Sequence, residues 1–302
     1  MAGEDSTARG VQVGLAAYLI WGFLTVYWKG LSAFNAFELI GWRMLCASGF
    51  MALVITWKGS WQMLRKAFTD PTVRRLQVLA ALLLAGNWTS YVWAVTNDRV
   101  IETALGYFIA PLATMAIGVV VLHERPTRAQ QFAFACAAVA VVILTASYGR
   151  PPWIALALAG TWSFYGLTKR RVDLPAVESL GGETFVLAAP ALVLVVTMSG
   201  RSDSVVNSAS AGEWVLVLGT GIVTAVPLML FASAAKSIPF TLLGPLNLVV
   251  PVINFGLGWL LYDEPMPLDR VIGFGFVWVA LAAVMWDRIT TVRREAVPAA
   301  AR

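Results

Sequence analysis

Histidine occurs once in these 302 residues, cysteine twice, and charged residues make up only 13% of the chain. Each scarcity removes a class of function. A lone histidine, His123, leaves no H-E-x-x-H motif and no multi-histidine metal site. Cys46 and Cys136 both fall in apolar stretches with no Cys or His at ligand spacing. They read as small packing side chains, so no disulfide, metal or other cofactor is expected. No serine stands beside an evident base, so a membrane-embedded enzyme lacks its constellation and catalysis is not expected. There is no G-x-x-x-x-G-K-[ST] loop, and the gaps near 58–75 and 199–213 are too short for a nucleotide-binding module. No loop combines a basic cluster with interleaved aromatics, which excludes nucleic acid as a partner.

What the chain has in quantity is apolar sequence, at 59%. A soluble domain carries roughly a quarter charged residues, and this chain cannot cover a water-facing surface with half of that. Its apolar stretches recur at the length of about 20 residues needed to cross a bilayer. Ten are legible: 11–28, 37–57, 76–96, 102–122, 130–148, 152–168, 179–198, 214–235, 241–262 and 269–287. The first is long, has no small-residue cleavage site and is followed by nine more, so it reads as a permanent span rather than a signal peptide.

Basic residues set the orientation. With the N-terminus inside, sixteen Lys and Arg fall on the inner side, among them Arg65, Lys66, Arg74, Arg75 and Lys169 to Arg171. Five fall outside: Lys29, Arg99, Arg150, Arg201 and Arg270. That bias places both termini in the cytoplasm and the protein in the cytoplasmic membrane.

The chain also repeats itself. "PLATMAIGVVVLHE" starts at Pro111 and "PVINFGLGWLLYDE" starts at Pro251, 140 residues later. At the same offset Glu38 meets Glu178, Gly41 meets Gly181 and Arg43 meets Glu183. One residue of slip pairs Trp21 with Trp162. The halves are 1–148 and 152–290, followed by a cytoplasmic tail, 291–302. Five spans each is an odd number, so the second half enters the bilayer from the opposite side. The expected fold is an all-α membrane protein of ten transmembrane helices, two inverted-topology five-helix repeats around a central cavity. A proline inside a helix frees the carbonyl four residues back, here that of Tyr107 for Pro111 and Asn247 for Pro251. In hydrocarbon such a carbonyl needs a partner or a wet cavity.

Four stretches carry a resemblance: "GLAAYLIWGFLTVYWKGL", "NWTSYVWAVTNDRVIETALGYFIAPL", "ALAGTWSFYGLTKRRV" and "AVPLMLFASAAKSIPFTLLGPLNLVVPVINFGLGWLLYDEP". They resemble the RarD-type permeases, EamA-domain members of the drug/metabolite transporter superfamily, over roughly residues 11–287. The resemblance implies ten helices in two inverted repeats, and a permease that exports or facilitates small metabolites or drugs. It names no cargo. Members of that family often carry a short Gly-Glu step after the fourth span, where this chain has His123–Glu124.

Polar and aromatic side chains deep in the spans are the candidate substrate-binding residues. Asn87, Trp88 and Tyr91 lie within one turn of the third span, and Asn there serves equally to line a cavity or to bond a neighbouring helix. Asn247 and Asn254 flank Pro251. Trp21 and Trp162 are mid-span and related by the repeat. Arg43 and Glu183 are the clearest intramembrane charges, and a charge there is a functional hypothesis by default. The depths of Arg43 and Glu183 argue against direct pairing, leaving Glu102 or a substrate anion as partner for Arg43. Glu38, Glu102 and Glu178 read as solvated or capping, Glu124 and Glu264 as loop residues, and Trp28, Trp57, Trp61 and Trp286 as interfacial belt residues. The expected partners are a small-molecule substrate and the lipid bilayer; a homodimer is allowed but not required.

Overall fold

The structure is a computed structural model. It describes the backbone of residues 2–300 apart from 122, 124, 170 and 238–245, and side chains within 9–287, leaving out 232, 233 and 235–237 as well. Among the described residues there is helix and no strand. The helices are α1 (Ala2–Lys29), α2 (Ala36–Lys58), α3 (Trp61–Thr69), α4 (Pro71–Thr96), α5 (Val100–Val121) and α6 (Arg128–Tyr148). They continue with α7 (Trp153–Lys169), α8 (Ala176–Met198), α9 (Val205–Ser208), α10 (Ala211–Ser237), α11 (Val249–Gly256) and α12 (Leu268–Ala300). A π-helical turn, Leu257–Leu261, extends α11.

Eight of these are long and apolar enough to cross a membrane. The sixth expected span is α7, with 17 residues. The ninth is represented by the shorter apolar helix Val249–Leu261, and much of its first half lies outside the described residues. Two helices were not legible as spans because neither is one. The short α3 buries Leu64, and its Trp61 stacks on Phe185 of α8 with ring centroids 5.4 Å apart. The other, α9, is a single turn.

Local chemistry explains the boundaries. The side chain of Asn35 accepts from the Phe37 N–H to start α2, and Asp70 accepts from Thr72 and Val73 to start α4, whose first residue is Pro71. Thr127 and Gln130 form a reciprocal capping box on α6. Gly59 and Gly149 end α2 and α6 at φ of 66° and 65°, where a Cβ would be strained. His123 has φ of 55°, the same left-handed region, at the place where relatives were expected to carry glycine.

Tertiary packing pairs the helices in a regular way. Helix α6 packs on α12, α2 on α8, and α5 on α11. Helix α1 packs on α10 and α11, while α7 packs on α4 and α5. Helix α10 packs on α2, and α4 on α8. Exchanging α1, α2, α4, α5 and α6 for α7, α8, α10, α11 and α12 maps every one of these pairs onto another or onto itself. The closest approaches use glycine. A Cβ on Gly221 of α10 would lie 2.6 Å from the carbonyl carbon of Cys46 on α2, and one on Gly106 of α5 would lie 2.9 Å from Cβ of Leu158 on α7.

The paired prolines are not structurally equivalent. Pro111 sits inside α5. Pro251 is the third residue of α11, which the structure begins at Val249 after a turn at Asn247 and Leu248. The first four N–H groups of a helix have no intrahelical acceptor, so Pro251 costs its helix no bond. The expectation of a carbonyl freed by Pro251 at Asn247 therefore fails, and Asn247 itself is exposed.

Candidate functional site

The centre of the bundle is built around Arg43. Helix α2 starts at Ala36, so Arg43 lies about 10 Å along its axis at 1.5 Å per residue. Its guanidinium is 4.3 Å from the ring centroid of Trp88 on α4 and 5.2 Å from that of Trp28 on α1. Its Nε donates to Oγ1 of Thr224 on α10 at 3.1 Å. Its Nη1 is buried and has no acceptor, and neither has the buried Nε1 of Trp28. Trp28 is fully buried, not an interfacial belt residue. Its position near the end of its span concealed that the neighbouring helices close over it.

A chain of hydroxyls and amides runs beside this group. The hydroxyls of Tyr91 and Thr25 are 2.9 Å apart. Thr25 donates to Oδ1 of Asn254 at 2.9 Å, and Nδ2 of Asn254 donates to Thr103 at 3.4 Å. Four helices, α4, α1, α11 and α5, are tied by these bonds. The Tyr107 ring lies 6.0 Å from that of Tyr91. Threonine needs no partner to be tolerated in a helix, because its hydroxyl can return to its own backbone, so Thr25, Thr103 and Thr224 gave no signal in the sequence.

The energetics of Arg43 are unbalanced. A desolvated cation–π stack contributes about 2 kcal/mol, against a burial penalty of several kcal/mol per ion. One neutral hydroxyl adds about 1 kcal/mol. No carboxylate pairs with Arg43 among the described residues.

The other buried charges have local partners, though Oε2 of Glu102 and Oε2 of Glu178 accept no bond among the described residues. Glu183 is fully buried and accepts from Lys169 at 2.6 Å, Tyr165 at 3.0 Å and Ser179 at 3.2 Å. Lys169, expected only to set topology, is thus the partner of the deepest acid. Glu102 is bonded to Arg150 and lies 3.9 Å from Arg99, so it is not the partner of Arg43. Glu178 pairs with Lys58 at 2.8 Å. Glu38 accepts from the N–H of Val205 at 2.9 Å, capping α9. All three are buried rather than solvated. Glu264 is no free loop residue either: it accepts from the N–H groups of Val100 and Ile101 and caps α5. Burial pushes its carboxyl up from the ordinary value, against the pull of those two N–H groups. Glu124 lies outside the described residues.

The remaining candidates are distributed around this centre. Asn87 donates to the Leu158 carbonyl at 3.2 Å and to Thr161 at 3.0 Å, bonding α4 to α7. Trp21 packs with Tyr18 and Phe231, at 5.5 and 5.7 Å between centroids. Trp162 lies 5.8 Å from Tyr165. Pro111 is half-buried in α5, one residue beyond Ala110, whose carbonyl accepts from Ser163 of α7 at 3.2 Å. Pro251 is buried.

Comparison with known proteins identifies what this arrangement belongs to. Residues 8–146 and again 152–286 match the EamA-like transporter family. The chain belongs to that family. The RarD-type permease assignment rests on relatives of nearly full length. The protein RarD of Streptomyces exfoliatus is 40% identical, covering 98% of this chain and 94% of that one. The protein RarD of Escherichia coli K12 is 33% identical, covering 95% and 97%. The uncharacterized transporter YojE of Bacillus subtilis 168 is 34% identical, covering 93% and 97%. A solved structure, described only as the crystal structure of a protein, aligns with a TM-score of 0.60 at 20% identity, over 92% of this chain and 96% of that one, and shares the fold. This RarD-type permease is a multi-pass membrane transporter.

Proposed function

We propose that this permease is a secondary transporter that exports small metabolites or drugs by alternating access. Its architecture is ten membrane spans in two inverted five-helix repeats, with both termini in the cytoplasm and the chain in the cytoplasmic membrane. Support for the repeat comes from the exchange symmetry of the helix pairs and from two successive matches to one family. The observation that carries the pathway is the bonded chain Tyr91–Thr25–Asn254–Thr103 beside Arg43. Polar groups held in hydrocarbon between the two halves are what a substrate path needs. In this reading Trp88, Tyr91, Tyr107 and Asn254 line the path. Rocking of one repeat against the other opens it to either side.

The test has two stages. Metabolites are compared between a deletion strain and an overexpressing strain, and those enriched outside the overexpressing cells are taken to proteoliposomes. Counterflow without ATP is the expected result. No ATP-independent counterflow of any such metabolite would remove the transporter mechanism.

A further inference from the structure

We infer that the buried Arg43 guanidinium is an anion subsite: it takes a small organic monoanion by its carboxylate. The inference rests on the transporter reading for its role in transport, but not for binding itself. Arg43 is 95% buried, and among the described residues its guanidinium makes one hydrogen bond, to the neutral hydroxyl of Thr224. Its Nη1 has no acceptor, and the Trp28 ring, 5.2 Å away, carries a second buried donor without one. A buried cation with unpaired donors around it is short of one thing, an acceptor with a negative charge. The carboxylates that could have supplied it are engaged elsewhere: Glu102 with Arg150, Glu183 with Lys169, Glu178 with Lys58, and Glu264 and Glu38 with helix N-termini.

The chemistry can be narrowed further. One uncompensated positive charge selects one negative charge, since a second would itself be buried unpaired. A planar guanidinium matches a carboxylate in its fork geometry. The Trp28 and Trp88 rings lie 5.2 and 4.3 Å from the guanidinium, and Tyr91, three residues after Trp88 on α4, packs on Tyr107, so the body of a ligand held by Arg43 meets aromatic side chains. An anion with a flat apolar body fits this better than a sugar or an inorganic ion.

The experiment uses the purified full-length chain in detergent, with tryptophan fluorescence as readout, since Trp28 and Trp88 flank the site. Acetate and benzoate are the probes, with benzyl alcohol and benzylamine as the neutral and cationic counterparts of benzoate. Benzoate is expected to quench saturably and more tightly than acetate, while the alcohol and the amine do not saturate. Arg43→Gln should weaken benzoate by roughly tenfold or more, the loss of a charge-assisted bond. Arg43→Lys keeps the charge and should weaken it less, yet measurably, because the fork is gone. Monodisperse elution of both variants verifies folding, and if Arg43→Gln fails to fold, the Lys variant and the alcohol control still decide. Equal quenching by benzoate and benzyl alcohol, no saturable quenching by either carboxylate, or wild-type benzoate affinity in the variants would each overturn the proposal. Counterflow of labelled benzoate separates the two readings. Binding without counterflow leaves the subsite standing and counts against transport, whereas counterflow unaffected by Arg43→Gln does the reverse.

Discussion

The carboxylate of Glu264 accepts from the backbone N–H of Ile101 at 2.9 Å, so α5 is capped by a residue 163 positions later in the chain. A second bond from Val100 makes the cap bidentate. The acid thereby joins the loop after α11 to the start of the proline-containing α5. A helix N-terminus in an apolar setting has no water to satisfy it, and an anion there also meets the favourable end of the helix dipole. Glu264→Ala should lower stability by about 0.5–2 kcal/mol, the usual cost of losing a cap. Thermal unfolding in detergent measures this; an unchanged midpoint would deny the cap any energetic role.

The two prolines should behave differently under substitution. Pro111→Ala supplies an N–H inside α5 and lets the Tyr107 carbonyl be bonded within the helix. Flux should fall while membrane abundance holds. Pro251→Ala changes an N–H in the first turn of α11, where no intrahelical acceptor exists, and should leave flux near wild type. Equal loss in both variants would show that the prolines act as a symmetric pair after all.

The buried pair Lys169–Glu183 is asymmetric, and its mutants should be too. Lys169 is one-quarter exposed while Glu183 is fully buried. Lys169→Met strands a carboxylate in the interior, expected to cost about 3–5 kcal/mol. Glu183→Gln leaves a lysine that reaches water, closer to the ~1 kcal/mol of a lost hydrogen bond. The double variant should recover part of the Lys169→Met loss. Denaturant unfolding of the three proteins would reveal the order, and equal costs would refute the asymmetry.

Orientation is open to direct measurement. Reporter fusions after residue 66 and after residue 302 should read cytoplasmic, and a fusion near residue 205 external. The first site lies in the basic helix α3, the third in α9. A cytoplasmic signal at 205 would break the ten-span arrangement.

Apolar length and charge scarcity made the membrane character legible without coordinates, because hydrocarbon demands long, uncharged, internally bonded segments whatever their neighbours. Motif-level resemblance likewise carried the family. Single strongly polar residues such as Arg43 and Asn254 stood out against that background for the same reason. Pairing could not be read in this way. Nothing local distinguishes Lys169 from its neighbours Arg170 and Arg171, yet it lies 2.6 Å from Glu183 on another helix. Trp28 sits where a belt residue would sit, and only the closure of α2 and α4 over α1 puts it against Arg43. The start of α11 also had to come from the fold, since a proline in the first turn and a proline in mid-helix look alike in sequence. Composition and periodicity decided that this chain crosses a membrane; which charges neutralise each other, and that Arg43 is left without a partner, was decided by helix packing, because an ion pair depends on a separation of a few ångströms between residues far apart in the chain.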